Sequence, residues 1–317
     1  MPRKNAPPAS GQPRLALIGF STDENSSYLR GAAAAPPEIR KAFACESSNR
    51  FTENGIDLAA PDTLLDAGDV VPGPGAAGAA QIEAEVFRLL ERGMAPIALG
   101  GDHAITYPIV RAFARVFPRL SVLHFDAHPD LYDEFGGNRL SHACPFARIL
   151  EEKLAQRLVQ VGIRAATRHQ REQAARFGVE MIEMRDGRDG VALRFDSPLY
   201  VSFDLDGLDP AFAPGVSHPE PGGLTTRQAL EVIQRLDATI VGADVVELNP
   251  SRDVGGATAM VAAKLVKELA ARMLEGPASA ARRRKPLSIR AVPRRARSGS
   301  SSVRAGRGRS ASRRRAR

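Results

Sequence analysis

Leu120-Ser-Val-Leu-His-Phe-Asp-Ala-His-Pro-Asp130 is an apolar run that ends abruptly in carboxylates and an imidazole. Its apolar part, 120–125, is nearly continuous rather than alternating, the mark of a strand covered on both faces in a parallel sheet. Side chains alternate along an extended chain, so Asp126, His128 and Asp130 share one direction just past the strand's carboxyl end. His124 shares that parity but lies earlier, and reads as a histidine packed in the sheet. The arrangement recurs: the run 96–99 leads into Gly100-Gly101-Asp102-His103, 199–203 into Asp204-Leu205-Asp206, and 239–246 into Glu247.

Runs of strand length also lie at 15–20, 64–67, 158–163 and 179–184, giving about eight strands in all. Segments of helical periodicity separate them at 80–92, 105–116, 145–157, 168–177, 226–236 and 258–274. Thr225-Thr226 reads as a helix start and Pro145 as a first helical residue. Alternating strands and helices imply an α/β fold of three layers, α/β/α, around a central, mostly parallel sheet. In such sheets ligands bind beyond the carboxyl ends of the strands, which is where all the acidic and imidazole clusters fall.

The 317-residue chain carries a net charge of +8, but the excess is confined to one end. From Gly276 onward there are 15 Arg and Lys and no acidic residue; without them 29 basic residues face 36 acidic ones, a net charge of −7. Residues 1–13, rich in Pro, Gly and Ser, read as a disordered arm, 14–275 as one catalytic domain, and 276–317 as a basic low-complexity tail. Contact with nucleic acid through that tail is the reading from a different functional class; a non-catalytic extension is preferred. Cys45 and Cys144 are too few for a disulfide framework, and no apolar stretch has signal-peptide or membrane-spanning length. A soluble cytoplasmic protein without membrane contact is expected.

Bringing Asp126, Asp130, Asp204 and Asp206 together without counter-charge would force some of them to protonate. Two divalent cations remove that conflict. Carboxylate oxygens with two imidazoles and no thiolate favour a hard ion, so Mn²⁺ is preferred, with Ni²⁺, Co²⁺ or Fe²⁺ behind it. A pair of ions ~3.5–4 Å apart lowers the pKa of a shared water, making hydroxide rather than a side chain the expected nucleophile.

Gly-Gly-Asp-His at 100–103, Asp-Ala-His-Pro-Asp at 126–130, Ser-His-Ala-Cys-Pro-Phe at 141–146, Ser-Phe-Asp-Leu-Asp-Gly-Leu-Asp-Pro at 202–210, Pro-Glu-Pro-Gly-Gly-Leu-Thr at 219–225 and Asp-Val-Val-Glu-Leu-Asn-Pro at 244–250 resemble, in order, the motifs of the ureohydrolase family of arginases and agmatinases. The resemblance spans about 15–273. It implies a two-manganese centre in each subunit that hydrolyses a guanidino compound to urea and an amine, in a homo-oligomer, trimer or hexamer. Carried over by position, His103 and Asp130 would bind one ion, His128 and Asp206 the other, and Asp126 and Asp204 would bridge. Glu247 would hold the guanidinium through two parallel N–H bonds, and His142 would carry a proton to the leaving amine. Asp102 and Asp244, beside ligand positions, are read as orienting groups.

The motifs do not separate arginine, agmatine, guanidinobutyrate and guanidine. Selectivity is assigned to the loop 131–142, where Asn138, Arg139 and Ser141 can meet an α-carboxylate and Asp133 or Glu134 an amine. The stretches 126–148 and 178–185 look most like plant-type arginases, whereas short chains of this kind are commonly agmatinase-like. The reading leans to agmatine, giving putrescine and urea, with arginine as the alternative. A formimino-compound hydrolase, releasing formamide, and a one-zinc deacetylase on a similar scaffold stay open.

Overall fold

The computed structural model describes residues 14–186 and 193–276. The arm expected at 1–13 and all but Gly276 of the expected tail lie outside the described residues. Strands β1 (Leu15–Phe20), β2 (Leu64–Val70), β3 (Ala95–Leu99), β4 (Ser121–Phe125), β5 (Arg157–Ile163), β6 (Glu180–Glu183), β7 (Leu199–Asp204) and β8 (Ile240–Val246) form one sheet. Every pairing is parallel, in the order β2-β1-β3-β8-β7-β4-β5-β6. The strands that end in candidate residues, β3, β8, β7 and β4, are therefore neighbours at the centre, although 99 and 240 are far apart in sequence.

Helices cover both faces. Against one lie α1 (Ala35–Phe43), α6 (Thr226–Arg235) and α7 (Ala257–Glu275), packed on Leu123, Phe125, Val201 and Phe203. Against the other lie α2 (Gly75–Glu91), α3 (Thr106–Val116), α4 (Pro145–Glu151) and α5 (Arg168–Phe177), packed on Ile18, Ala98, Val122 and Tyr200. Three layers result. Phe125 and Phe203 stack with ring centroids 4.8 Å apart directly below the ends of β4 and β7, and truncating either to alanine should cost about 3–5 kcal/mol.

The second face is not purely apolar. Register aligns Gln160, His124, Ser202 and Asp244 across β5, β4, β7 and β8, all fully buried, one layer beneath the strand ends. Buried polar groups require partners, and all but Gln160 Oε1 find them in one another and in neighbouring residues.

Two expectations change. The helix expected over 145–157 stops at Glu151, because the chain turns through Lys153 at φ 55 to enter β5. The sequence reading assigns no element to α1, which Pro36 and Pro37 open in its first turn, where a missing N–H costs nothing. No helix among the described residues is long and apolar enough to cross a membrane.

Candidate metal centre and substrate cavity

The Asp102 carboxylate accepts the Ala104 N–H (3.2 Å) and caps the short turn that carries His103. Gly101 allows that turn to lie against the segment that follows β1, since a Cβ there would stand 1.6 Å from the Thr22 carbonyl oxygen. His103 is fully buried, and its Nε2 lies 2.9 Å from Ser202 Oγ, whose own proton goes to Asp244 Oδ1 at 2.7 Å. Ser202 must therefore accept from Nε2, so the neutral ring carries its lone pair on Nδ1. Asp244 Oδ2 is held in turn by Thr106 Oγ1 (2.8 Å) and the Tyr200 hydroxyl (2.7 Å), so the tautomer is set from three elements.

That lone pair faces Asp126 Oδ2 at 3.2 Å, Asp130 Oδ2 at 3.0 Å and Asp204 Oδ2 at 3.2 Å, yet Nδ1 makes no hydrogen bond with any of them. One proton could serve only one of the three oxygens. A divalent cation satisfies all four donors, so the residues fit a metal ion. Alongside, His128 Nδ1 stands 3.1 Å from Asp206 Oδ2 and 3.4 Å from Asp126 Oδ1, a second cluster able to hold an ion. Asp126 turns one oxygen to each cluster. Asp204 is held in the same way, its Oδ1 accepting the Asp206 N–H at 2.8 Å while Oδ2 faces His103 Nδ1.

The electrostatics carry the same conflict. Burial, then the neighbouring Asp206 and Asp126, push Asp204 well above the carboxylate range, and burial with Asp126 pushes Asp206 up to about 6. Burial opposes charge on His128, but Asp206 and Asp126 raise it to about 12. Cations relieve both conflicts at once. Asp130 (φ 51) and Glu247 (φ 67) are two of the three non-glycine residues at positive φ among those described, strain of about 1–3 kcal/mol each that aims a buried carboxylate into the site.

His124 is packed in the sheet as expected and also touches the cluster. Its Nδ1 accepts from Gln160 Nε2 (3.0 Å), so Nε2–H donates to Asp126 Oδ2 (2.7 Å), and burial keeps the ring neutral. It orients the shared carboxylate and is not read as a ligand. Arg164, absent from the sequence reading, donates to the backbone oxygens of Gly162, Asp206, Gly207, Leu208 and Glu220, tying the Asp206 turn to the 219–223 loop. Glu220 contributes that backbone oxygen to the tie; its side chain does not line the cavity.

A cavity of about 190 Å³ opens over the cluster, with His128, Asp130, Asp204, Asp206 and Glu247 in its lining. Glu247 Oε1 accepts the His103 N–H and faces His142 Nδ1, both at 2.8 Å, while Oε2 has no protein partner among the described residues. One oxygen, not two, is thus free for an incoming cation. His142 Nε2 accepts the Ser27 N–H at 3.2 Å and lies 2.8 Å from Ser27 Oγ. Burial lowers the His142 pKa, but the Glu247 charge outweighs it and pushes the ring up to about 9.

The remaining expected substrate residues are engaged elsewhere. Asp133 Oδ1 accepts from Gln173 Nε2 (2.6 Å), Asn138 bonds Asn25 Oδ1 (2.9 Å) and the Leu140 N–H (2.8 Å), and Ser141 is buried beside a separate small cavity behind Asp102. None lines the cavity over the cluster. Its outer wall is Tyr132 and Phe135, from the 131–142 loop to which selectivity is assigned, together with Ser27, Ala165, Gln170 and His218, which sequence reasoning missed. Ser27 and His218 reach it from segments 115 and 76 residues from His142, with no motif to mark them.

The family model described as the arginase family matches residues 13–271. The chain belongs to the arginase family. Arginase 1, mitochondrial, of Arabidopsis thaliana is 48% identical over 274 residues, covering 81% of this chain and 80% of that protein. The solved arginase of Medicago truncatula has a TM-score of 0.78 at 47% identity, over 81% of this chain and 86% of that one. The agmatine ureohydrolase of Thermoplasma volcanium gives 0.73 at 32% identity, over 86% and 94%. As an arginase-family member the protein is a hydrolase acting on guanidino C–N bonds of small substrates.

Proposed function

We propose that the protein hydrolyses arginine to ornithine and urea at a two-manganese centre. The carrying observation is that Asp126 presents one oxygen to the His103, Asp130 and Asp204 group and the other to the His128 and Asp206 group. Manganese suits an oxygen-rich donor set with two imidazoles, and when bound it supplies Lewis acidity and brings the pKa of a water toward neutrality.

The chain's own groups position and protonate the substrate. Glu247 Oε2 receives a guanidinium N–H, while Oε1, fixed by the His103 N–H and His142, holds the carboxylate in place. His142, whose pKa the Glu247 charge raises to about 9, stands in the same cavity to hand a proton to the departing amine. Asp244, Ser202 and His124 fix the ring of His103 and the Asp126 carboxylate in the orientation in which they would hold the ions.

The sequence lean to agmatine gives way to arginine. Arginases of two plants share 47–48% of residues with this chain, against 32% for the agmatine enzyme, and no free carboxylate lines the outer cavity to receive an amine. Urea release from the manganese-loaded protein with arginine, agmatine, guanidinobutyrate and guanidine side by side is the test. Arginine should give the highest kcat/KM; preference for agmatine, or formamide in place of urea, contradicts the reading.

A further inference from the structure

The outer end of the cavity is built from the start of α5. Thr167 caps that helix and Gln170 returns the bond: Thr167 Oγ1 accepts the Gln170 N–H (3.4 Å), and Gln170 Oε1 accepts the Thr167 N–H (3.1 Å) and hydroxyl (3.2 Å). The carbonyl end of the Gln170 amide is thereby committed. Its NH₂ end has no partner among the described residues, although the residue is only 2% exposed and lines the cavity. With its oxygen held by the helix cap and no protein acceptor for its nitrogen, the amide has its NH₂ group left to offer a ligand in the cavity.

The helix end adds to this donor. The helix N-terminus carries partial positive charge, and the first turn of α5 contains no acidic residue while holding Arg168 and His169. Two acids lie close by, and both are engaged outside the cavity lining: Asp133 is bound to Gln173 Nε2 and stands 3.4 Å from His169 Nε2, and Glu172 pairs with Arg168 at 2.9 Å. The cavity is thus bipolar, with carboxylates at the metal end and donors at the other. A guanidinium fits the first and a carboxylate the second; a terminal ammonium would meet an NH₂ group and a positive helix end.

We propose that Gln170, at the N-terminus of α5, receives the carboxylate of the substrate, so that the enzyme selects guanidino acids over guanidino amines. This rests on the arginine reading and names what enforces it. Gln170→Glu is the sharp test, because a glutamate keeps an oxygen on the Thr167 N–H and exchanges only the donor for an anionic acceptor. Steady-state urea release would be measured for arginine, guanidinobutyrate and agmatine, with the melting temperature and manganese content of each variant as controls.

In Gln170→Glu the kcat/KM for both acids should fall by about tenfold or more, mainly through KM, and the arginine-to-agmatine ratio should shift toward agmatine by at least that factor. Gln170→Met, which removes the donor and also the capping oxygen but adds no charge, should weaken arginine without favouring agmatine. It also carries the test if the Glu variant does not fold. Inhibition of the unaltered enzyme should be stronger by ornithine than by putrescine. A wild-type preference for agmatine overturns the arginine reading itself. An arginine-preferring wild type whose ratio is unmoved in folded, metal-replete variants overturns the Gln170 assignment alone.

Discussion

Replacing Asp126 by asparagine tests the shared carboxylate directly. Its Oδ1 accepts the His128 N–H at 2.6 Å and its Oδ2 accepts His124 Nε2–H at 2.7 Å, so an asparagine NH₂ must face a donor in either orientation. Opposed buried donors cost about 1–3 kcal/mol, or a fall in Tm of roughly 2–12 °C for a domain of this size. The larger effect is electrostatic, because the lost negative charge is the one presented to both clusters. Metal affinity should fall by more than the roughly 10–100-fold typical of lost outer partners, and turnover by at least about 10³-fold, equivalent to roughly 4 kcal/mol. Elemental analysis after manganese loading and urea release on the same sample measure both quantities. A variant that binds two manganese ions per chain and keeps more than a tenth of the turnover refutes the shared role.

Glu247→Gln should leave metal content intact while lowering kcat/KM at least about tenfold, since a charge-assisted bond to the guanidinium becomes a neutral one; unchanged kcat/KM removes Glu247 from the substrate site. The same substitution withdraws the charge that raises His142, so the imidazole pKa, read by NMR in metal-free protein, should move down from about 9. Because the folded-state pKa of His142 lies above its unfolded value of 6.5, its stabilising contribution is full below pH 6.5 and lost as pH rises through 9. Metal-free protein should therefore lose Tm across that window, and His142→Asn should flatten the loss; an identical slope would contradict the linkage. Asp244→Asn should lower manganese affinity by about 10–100-fold by loosening the Ser202–His103 orientation, and unaltered binding isotherms would assign Asp244 to packing alone.

Much of the sheet is legible in the sequence because strands buried on both faces must be almost wholly apolar, and 120–125, 199–203 and 15–20 are. The convergence of His103, Asp126, Asp130, Asp204, Asp206 and Glu247 follows from their position at strand ends, since the topology of a parallel sheet brings all such ends to one rim. Features decided by distant partners were not legible. Glu151 to Ala155 are good helix formers, yet the chain must turn there to reach β5, and tertiary structure overrides propensity.

The substrate wall shows the same limit. Asp133 looks like an amine receptor in its own loop, but Gln173, forty residues on, takes its carboxylate. Ser27 and His218 come from loops without a motif, and Gln170 reads locally as half of a capping box. Only its place in the cavity lining gives its unpaired NH₂ group a meaning.

The account rests on two cations meeting at Asp126, and a manganese-soaked crystal measured at the metal's absorption edge tests it most directly. Two anomalous peaks ~3.5–4 Å apart, one at His103 Nδ1 and the other at His128 Nδ1 with Asp126 between them, are the predicted result. A single peak, or two peaks that do not share Asp126, would contradict it.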